Sequence, residues 1–310
     1  MLTAIQKKTA EAIVNIFETG SVLGDYGNVT LIKGDTGHLT FGRSQTTLGS
    51  GNLYKLLRSY CALPAARFGA ELTPFLKRFE DIDLSLDHEK HLHNILRASV
   101  DDAAMRDAQD VFFDQTYWKV AERVAEHLGI TIPLGVAVIY DSTVHGSAQP
   151  IRDKTNQKAG TLESLGERKW IAAYVQTRHD WLINHTRRDL RATVYRMEAF
   201  KRLIDLDLWA LELPLLVREQ EISTVTLSAA PAGCYDGPKP GSRPLALQTP
   251  LLRGLDVRLV QLGLSKLGGD VKADGVFGQG SLAAVKAYQT THNLPVTGAL
   301  DKAQIVQLVG

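Results

Sequence analysis

Cysteine is scarce in this 310-residue chain: Cys61 and Cys234 are its only two, far apart and without metal-ligand spacing. That excludes a disulfide framework and a cysteine-built metal centre as organising devices, and two unpaired thiols are expected. An excess of one charge is missing as well, with 35 Lys+Arg against 34 Asp+Glu. No global field therefore draws the chain to nucleic acid or to anionic lipid, and any polymer it binds must be held by local groups. No run approaches the roughly 18 apolar residues of a membrane helix. The opening stretch MLTAIQKKTAEAIVNIF lacks a charged-then-apolar signal sequence, so synthesis in the cytoplasm without a signal peptide is expected.

What is present is mostly helical pattern. From Gln6 to about Leu216 apolar residues recur every three or four positions, as amphipathic helices require. One interruption stands out: Asn28–Ile32 and His38–Gly42 are β-prone runs around Lys33-Gly34-Asp35-Thr36-Gly37, a glycine-flanked turn that predicts a hairpin between helices. The fold class is thus α+β, mainly α, for residues 1–222. Residues 223–250 hold Pro231, Pro238, Pro240, Pro244 and Pro250 and read as an extended, flexible spacer. A small separate domain is expected over 251–310.

Two carboxylates carry the chemical interest. Ile5, Ala12, Ile13, Ile16 and Phe17 make an apolar stripe on the first helix and Gly20 is placed to end it, so Glu18 falls in the last turn. There the negative end of the helix dipole and partial burial favour a protonated carboxyl, as a general acid needs. Asp35 sits in a turn where water and backbone N–H groups keep it ionised, as a general base needs. Glycoside hydrolysis uses such a pair. A glutamate at a helix end and an Asp-x-Gly turn are also common surface features, so the pair alone is a weak signal.

The helix–Glu–loop–hairpin order resembles the lysozyme-like superfamily, and KGDTGHLTFG resembles the hairpin of the bacterial endo-chitosanases within it. VFFDQTYWKVA, LGVAVIYDSTVHGS, IRDKTNQ and WIAAYVQTRHDWL follow in the order of similar chitosanase segments. The resemblance implies a lysozyme-like catalytic domain, an inverting mechanism, and Thr40 as the residue that helps hold the attacking water. It also implies a buried network behind Glu18 made of Asp141, Arg178 and a second arginine. Arg188 is the candidate, with Arg187 and Arg191 as alternatives; the lesser reading of Asp141, Arg178 and Arg188 is a core ion network without catalytic duty. His38 and Asn52 are candidate substrate-binding residues. The sequence departs from the family in two places: Gly37 stands where an arginine is usual, and Asn52 where an acid binds the glucosamine ammonium. A neutral amide suits an acetamido group better than a cation.

The last 60 residues resemble the three-helix peptidoglycan-binding domain of cell-wall hydrolases. Its landmarks here are the apolar Val257, Leu259, Val260 and Leu262, the Asp274-Gly275-Val276-Phe277-Gly278 turn, and Leu294-Pro295-Val296-Thr297-Gly298. Phe277, Tyr288 and Gln289 are binding candidates there, although such spacing suits core positions. Asp270 and Asp274 hint at a calcium loop, but Ser281 occupies the position of its last acidic ligand. His88, Glu89, His91 and His93 lack the spacing of a zinc motif and read as a solvated helix face. His145 reads as the cap of a helix end, and Ser142 and Ser147 show no nucleophile arrangement. Neither metal nor cofactor is expected. The combined reading is a monomeric muramidase anchored on peptidoglycan strands, with a chitosanase or a non-catalytic wall-binding protein as alternatives. Delivery to the wall through a holin or a secretion machine, and an immunity protein as partner, complete the expectation.

Overall fold

The computed structural model describes residues 2–32, 34–43 and 45–310; Met1, Ser44 and Lys33 of the expected turn lie outside the described residues. The chain packs as two units, each assembled from two separated stretches: one takes in the chain up to Gly24 with Phe112–Ala230, the other Asp25–Val111 with Pro231–Gly310. Packing therefore follows a different division from the linear one read from composition.

In the first unit, Thr3 starts the helix Ala4–Thr19 with a capping box to Gln6, and Gly20, at φ 72°, ends it with its N–H on the Ile16 carbonyl. Residues Ala12, Ile13, Ile16 and Phe17 are buried as their spacing requires, whereas Ile5, in the first turn, is 44% exposed. The helix Pro133–His145 is buried at every position from Leu134 to Ser142. It is apolar all round rather than amphipathic, the mark of a helix that runs through a core. Its single acidic residue, Asp141, is consequently buried too. Helices Leu162–Leu165 and Glu167–Ile183 follow, separated by Gly166 at φ 77°. The helix Tyr195–Asp205 turns Arg196, Met197, Phe200 and Leu203 inward. A short hairpin, unforeseen in the sequence, pairs β4 (Leu215–Val217) with β5 (Gln220–Ile222).

In the second unit the expected two-stranded hairpin is a three-stranded antiparallel sheet of β1 (Val29–Thr30), β2 (Thr40–Phe41) and β3 (Thr46–Thr47). Register sets Thr40 opposite Thr30 on one side and Thr47 on the other. Gln109, fully buried, accepts from the Arg43 N–H and donates to the Tyr26 carbonyl, tying the base of the sheet to the helical layer. The C-terminal module contributes helices Leu255–Lys266, Gln279–Thr291 and Lys302–Val309 around Val257, Val260, Leu264, Phe277, Val285 and Ile305. Phe277 and Gln289 are 0% and 1% exposed and Tyr288 8%, so these binding candidates are core. The stretch read as an extended spacer is different again after Pro231. Leu245 is buried in the module core and bridges Leu300, and the Gly237 and Pro238 carbonyls accept from Leu255 and Asp256. Backbone groups paired in this way hold a proline-rich stretch without helix or sheet.

Candidate active site

Glu18 stands in the last turn of its helix with 26% of its side chain exposed, and its Oε1 accepts from Arg196 Nη2 at 2.5 Å. The same guanidinium donates through Nη1 to Asp141 Oδ1 at 2.7 Å, and Asp141 Oδ2 pairs with Arg178 Nη1 at 3.3 Å. Arg178 also donates to Ser142 Oγ, to His145 Nδ1 at 2.9 Å and to the Gly146 carbonyl. Asp141 and Arg178 are fully buried and Arg196 nearly so. Two carboxylates and two guanidiniums balance in charge, the condition under which such a cluster is tolerated in a core.

The second arginine is Arg196, which corrects the assignment to Arg188. Arg188 is exposed, Arg187 pairs with Asp189 and Arg191 donates to the His185 and Thr186 carbonyls. The missed signal was periodic. Arg196 lies four residues before Phe200 and seven before Leu203, so a charged residue shares the inward stripe of its helix and needs a buried partner.

Electrostatics follow from this packing. Burial works against the charge of Arg196, but the Asp141 and Glu18 carboxylates outweigh it and hold the guanidinium protonated above its ordinary range. His145 moves the other way: burial, reinforced by Arg196 and Arg178, lowers it to about 4. It is therefore neutral at physiological pH, with Nδ1 free to accept from Arg178. His145 is thus a member of the network instead of the helix cap that was expected. Aromatic rings brace the glutamate from behind. The Tyr195 hydroxyl donates to the Phe17 carbonyl at 2.7 Å, and Phe17 packs edge-on to Tyr195 and Phe200.

Asp35, Thr40 and His38 belong to the second unit. Asp35 is exposed in the turn before β2, its N–H bound to the Ile32 carbonyl and its Oδ1 accepting from the Gly37 N–H at 3.1 Å. A Cβ at Gly37 would lie 3.2 Å from Asp35 Oδ2 and 3.0 Å from Thr47 Cγ2. The missing side chain thus lets the aspartate lie against the sheet, where an arginine would need room. The turn opens on a cleft of 530 Å³ lined by Leu31, Ile32, Asp35, His38, Asp87 and His88 among others. Asp87 fixes one wall, bonding His38 Nδ1 at 2.8 Å and accepting from the Leu39 N–H at 2.9 Å. Thr40 is 7% exposed and its hydroxyl donates to the His38 carbonyl at 3.1 Å, which leaves it lone pairs to accept with. Asn52 opens the helix Asn52–Cys61 and accepts from Lys55 of its own helix; the residues lining this cleft do not include it. The histidine run is not a solvated face. His93 is buried with Nε2 against the Leu86 carbonyl, and His91 meets Ser265. Asp274 is committed to its own turn, accepting from Val276 N–H and Gln261.

Comparison with known proteins places these features in a family. Residues 12–215 match glycosyl hydrolase family 46, and residues 253–308 match the peptidoglycan binding domain. A chitosanase of Bacillus subtilis (strain 168) is 26% identical over 230 residues, covering 70% of this chain and 83% of that protein. The solved native chitosanase of Bacillus subtilis MY002 is similar with a TM-score of 0.60 at 26% identity, over 70% of this chain and 96% of that one. A family 46 chitosanase of Gynuella sunshinyii, solved in complex with chitotetraose, shares the fold with a TM-score of 0.61 at 21% identity, over 73% and 99%. With its match spanning the stretch that holds Glu18, Asp35 and the Asp141 network, the chain belongs to glycosyl hydrolase family 46 and is a glycoside hydrolase that also carries a peptidoglycan-binding domain.

Proposed function

We propose that this glycoside hydrolase cleaves a β-1,4-linked amino-sugar polymer by single displacement with inversion, and that a chitosan-type chain is its substrate. Glu18 delivers a proton to the leaving glycosidic oxygen while Asp35 takes one from the attacking water, which Thr40 helps hold. The observation that carries this reading is the Glu18–Arg196–Asp141–Arg178 network within a family 46 chain. A carboxyl that must give up its proton and regain it in each turnover needs a fixed position, and Arg196 supplies that by occupying one oxygen. Chitosan is preferred because the curated relative and the similar solved structures are chitosanases. A second reading, muramidase action on peptidoglycan, rests on a separate observation: the domain matched over residues 253–308. Asn52, an amide rather than an acid, speaks for N-acetylated sugars in that reading.

The test is mass spectrometry and NMR of the products released from chitosan and, in parallel, from purified peptidoglycan by the parent and by Glu18→Gln. Soluble glucosamine oligomers released with an initially α-anomeric reducing end, and absent with Glu18→Gln, are the expected result. Muramic acid reducing ends would move the assignment to the second reading, and products unchanged by Glu18→Gln would remove Glu18 as the acid.

A further inference from the structure

The C-terminal module is joined to the Asp25–Val111 part of its unit by buried polar contacts of an unusual completeness. Asn94, 2% exposed on the helix Lys90–Ser99, uses its whole hydrogen-bonding capacity. Its Nδ2 donates to Ser265 Oγ at 2.9 Å and to the Val271 carbonyl at 2.8 Å, both in the module. Its Oδ1 accepts from the Ala273 N–H of the module at 2.9 Å and from Arg97 at 3.0 Å. Arg258 of the module, 4% exposed, donates to Asp101 Oδ1 at 3.1 Å and to the Arg97, Gly233 and Asp274 carbonyls. Tyr235 adds its N–H to the same Asp101 oxygen at 2.8 Å, and its ring lies 4.8 Å from the Arg258 guanidinium. Burial pushes the Asp101 carboxyl up to about 6 against the pull of Arg258, so this charge is tolerated there only with its partner. A freely swinging module would leave all these groups to water and would have no reason to bury them.

The contacts lead on to the candidate site. Arg97, which shares Asn94 Oδ1 with the module, reaches the Val29 carbonyl of β1 at 3.5 Å. His93 on the same helix holds the Leu86 carbonyl, and the next residue, Asp87, grips His38 and Leu39. We infer that the module is a brace for the hairpin as well as a wall-binding domain, and that Asn94 and Arg258 are positioning residues that act on the Asp35 turn through the helix Lys90–Ser99.

Hydrogen exchange read by mass spectrometry on the full chain tests this without reference to activity. In Arg258→Met and in Asn94→Ala, exchange is expected to quicken about tenfold or more in residues 84–101 and also in 35–41. Lys90→Ala, which removes only the exposed pair with Asp270, should leave both segments as they are. Arg258→Lys keeps the charge and serves if the methionine variant does not fold; it should give a smaller change in the same two segments. Turnover of a short soluble oligosaccharide forms a second arm, which rests on the proposed function: kcat should fall in Asn94→Ala with little change in KM. Faster exchange confined to the module, with residues 35–41 unchanged, would overturn the brace. Absence of hydrolysis by the parent would count against the proposed function alone, because the exchange arm would still decide.

Discussion

Glu18, in the last turn of a 16-residue helix, and Asp35, in a turn between two short strands, are both carboxylates, yet their surroundings differ in kind. Glu18 is held by a guanidinium that is 3% exposed and comes from a helix 178 positions later, backed by a fully buried aspartate. Asp35 is exposed and is held by the N–H of a residue two positions on, in a turn tightened by glycines. One environment is tertiary and partly buried, the other local and wet. Under the proposed mechanism the contrast gives one functional group two duties: the proposed proton donor is fixed by a remote scaffold, while the proposed water-activating base is left where water can reach it.

Removing the scaffold should have the largest effect. Asp141→Ala leaves two buried guanidiniums without their shared carboxylate and is expected to cost about 3–5 kcal/mol in denaturant unfolding, with activity lost alongside. Asp35→Asn should separate the two properties. Turnover is expected to fall about 10²–10⁴-fold, while the unfolding midpoint stays within about 0.5 kcal/mol of the parent because the side chain is exposed. Equal stability losses in the two variants would erase the contrast.

Gly37→Ala is a finer probe. The added methyl must push aside Thr47 or the Asp35 carboxylate, and a cost of about 1 kcal/mol is expected, together with a change in kcat larger than in KM. The smallest effect is one of pH. His145 is lowered to about 4 from an ordinary 6.5, so between these values the unfolded chain takes up a proton that the folded chain refuses. Stability should therefore be complete above pH 6.5 and decline as pH falls towards 4. In His145→Gln, which keeps an acceptor for Arg178 but cannot titrate, this part of the slope should vanish from unfolding curves measured across that range.

The legible part of this protein was what depends on local pattern. Helix Ala4–Thr19 and the turn around Asp35 follow from apolar spacing and glycine placement in nearby sequence, and the three module helices from the resemblance of the last 60 residues to a peptidoglycan-binding domain. Strand β3 did not, since two threonines carry no periodicity, and neither did Ala148–Ala159, a helix of mostly polar residues with a proline in its first turn. Arg196 is hard to read from sequence because Arg187, Arg188 and Arg191 lie nearer the QTRHDWL segment, and only its place on an apolar stripe sets it apart. Proline content suggested a loose spacer, although Leu245 within it had a core to fill. Asn94 gave no hint at all: an asparagine whose four partners span from Arg97 to Ala273 is defined by contacts that leave no local mark.

The reach of the Glu18–Arg196 bond has a consequence for biosynthesis. A ribosome that has made the first hundred residues has already produced both carboxylates, but the arginine that fixes the first of them is still to be translated. The network around Glu18 cannot close before residue 196 has been made, because a contact of such long range has to wait for its distal partner. A nonsense codon between Asp35 and Arg196 would then yield a fragment with both proposed catalytic carboxylates and without the guanidinium that holds Glu18.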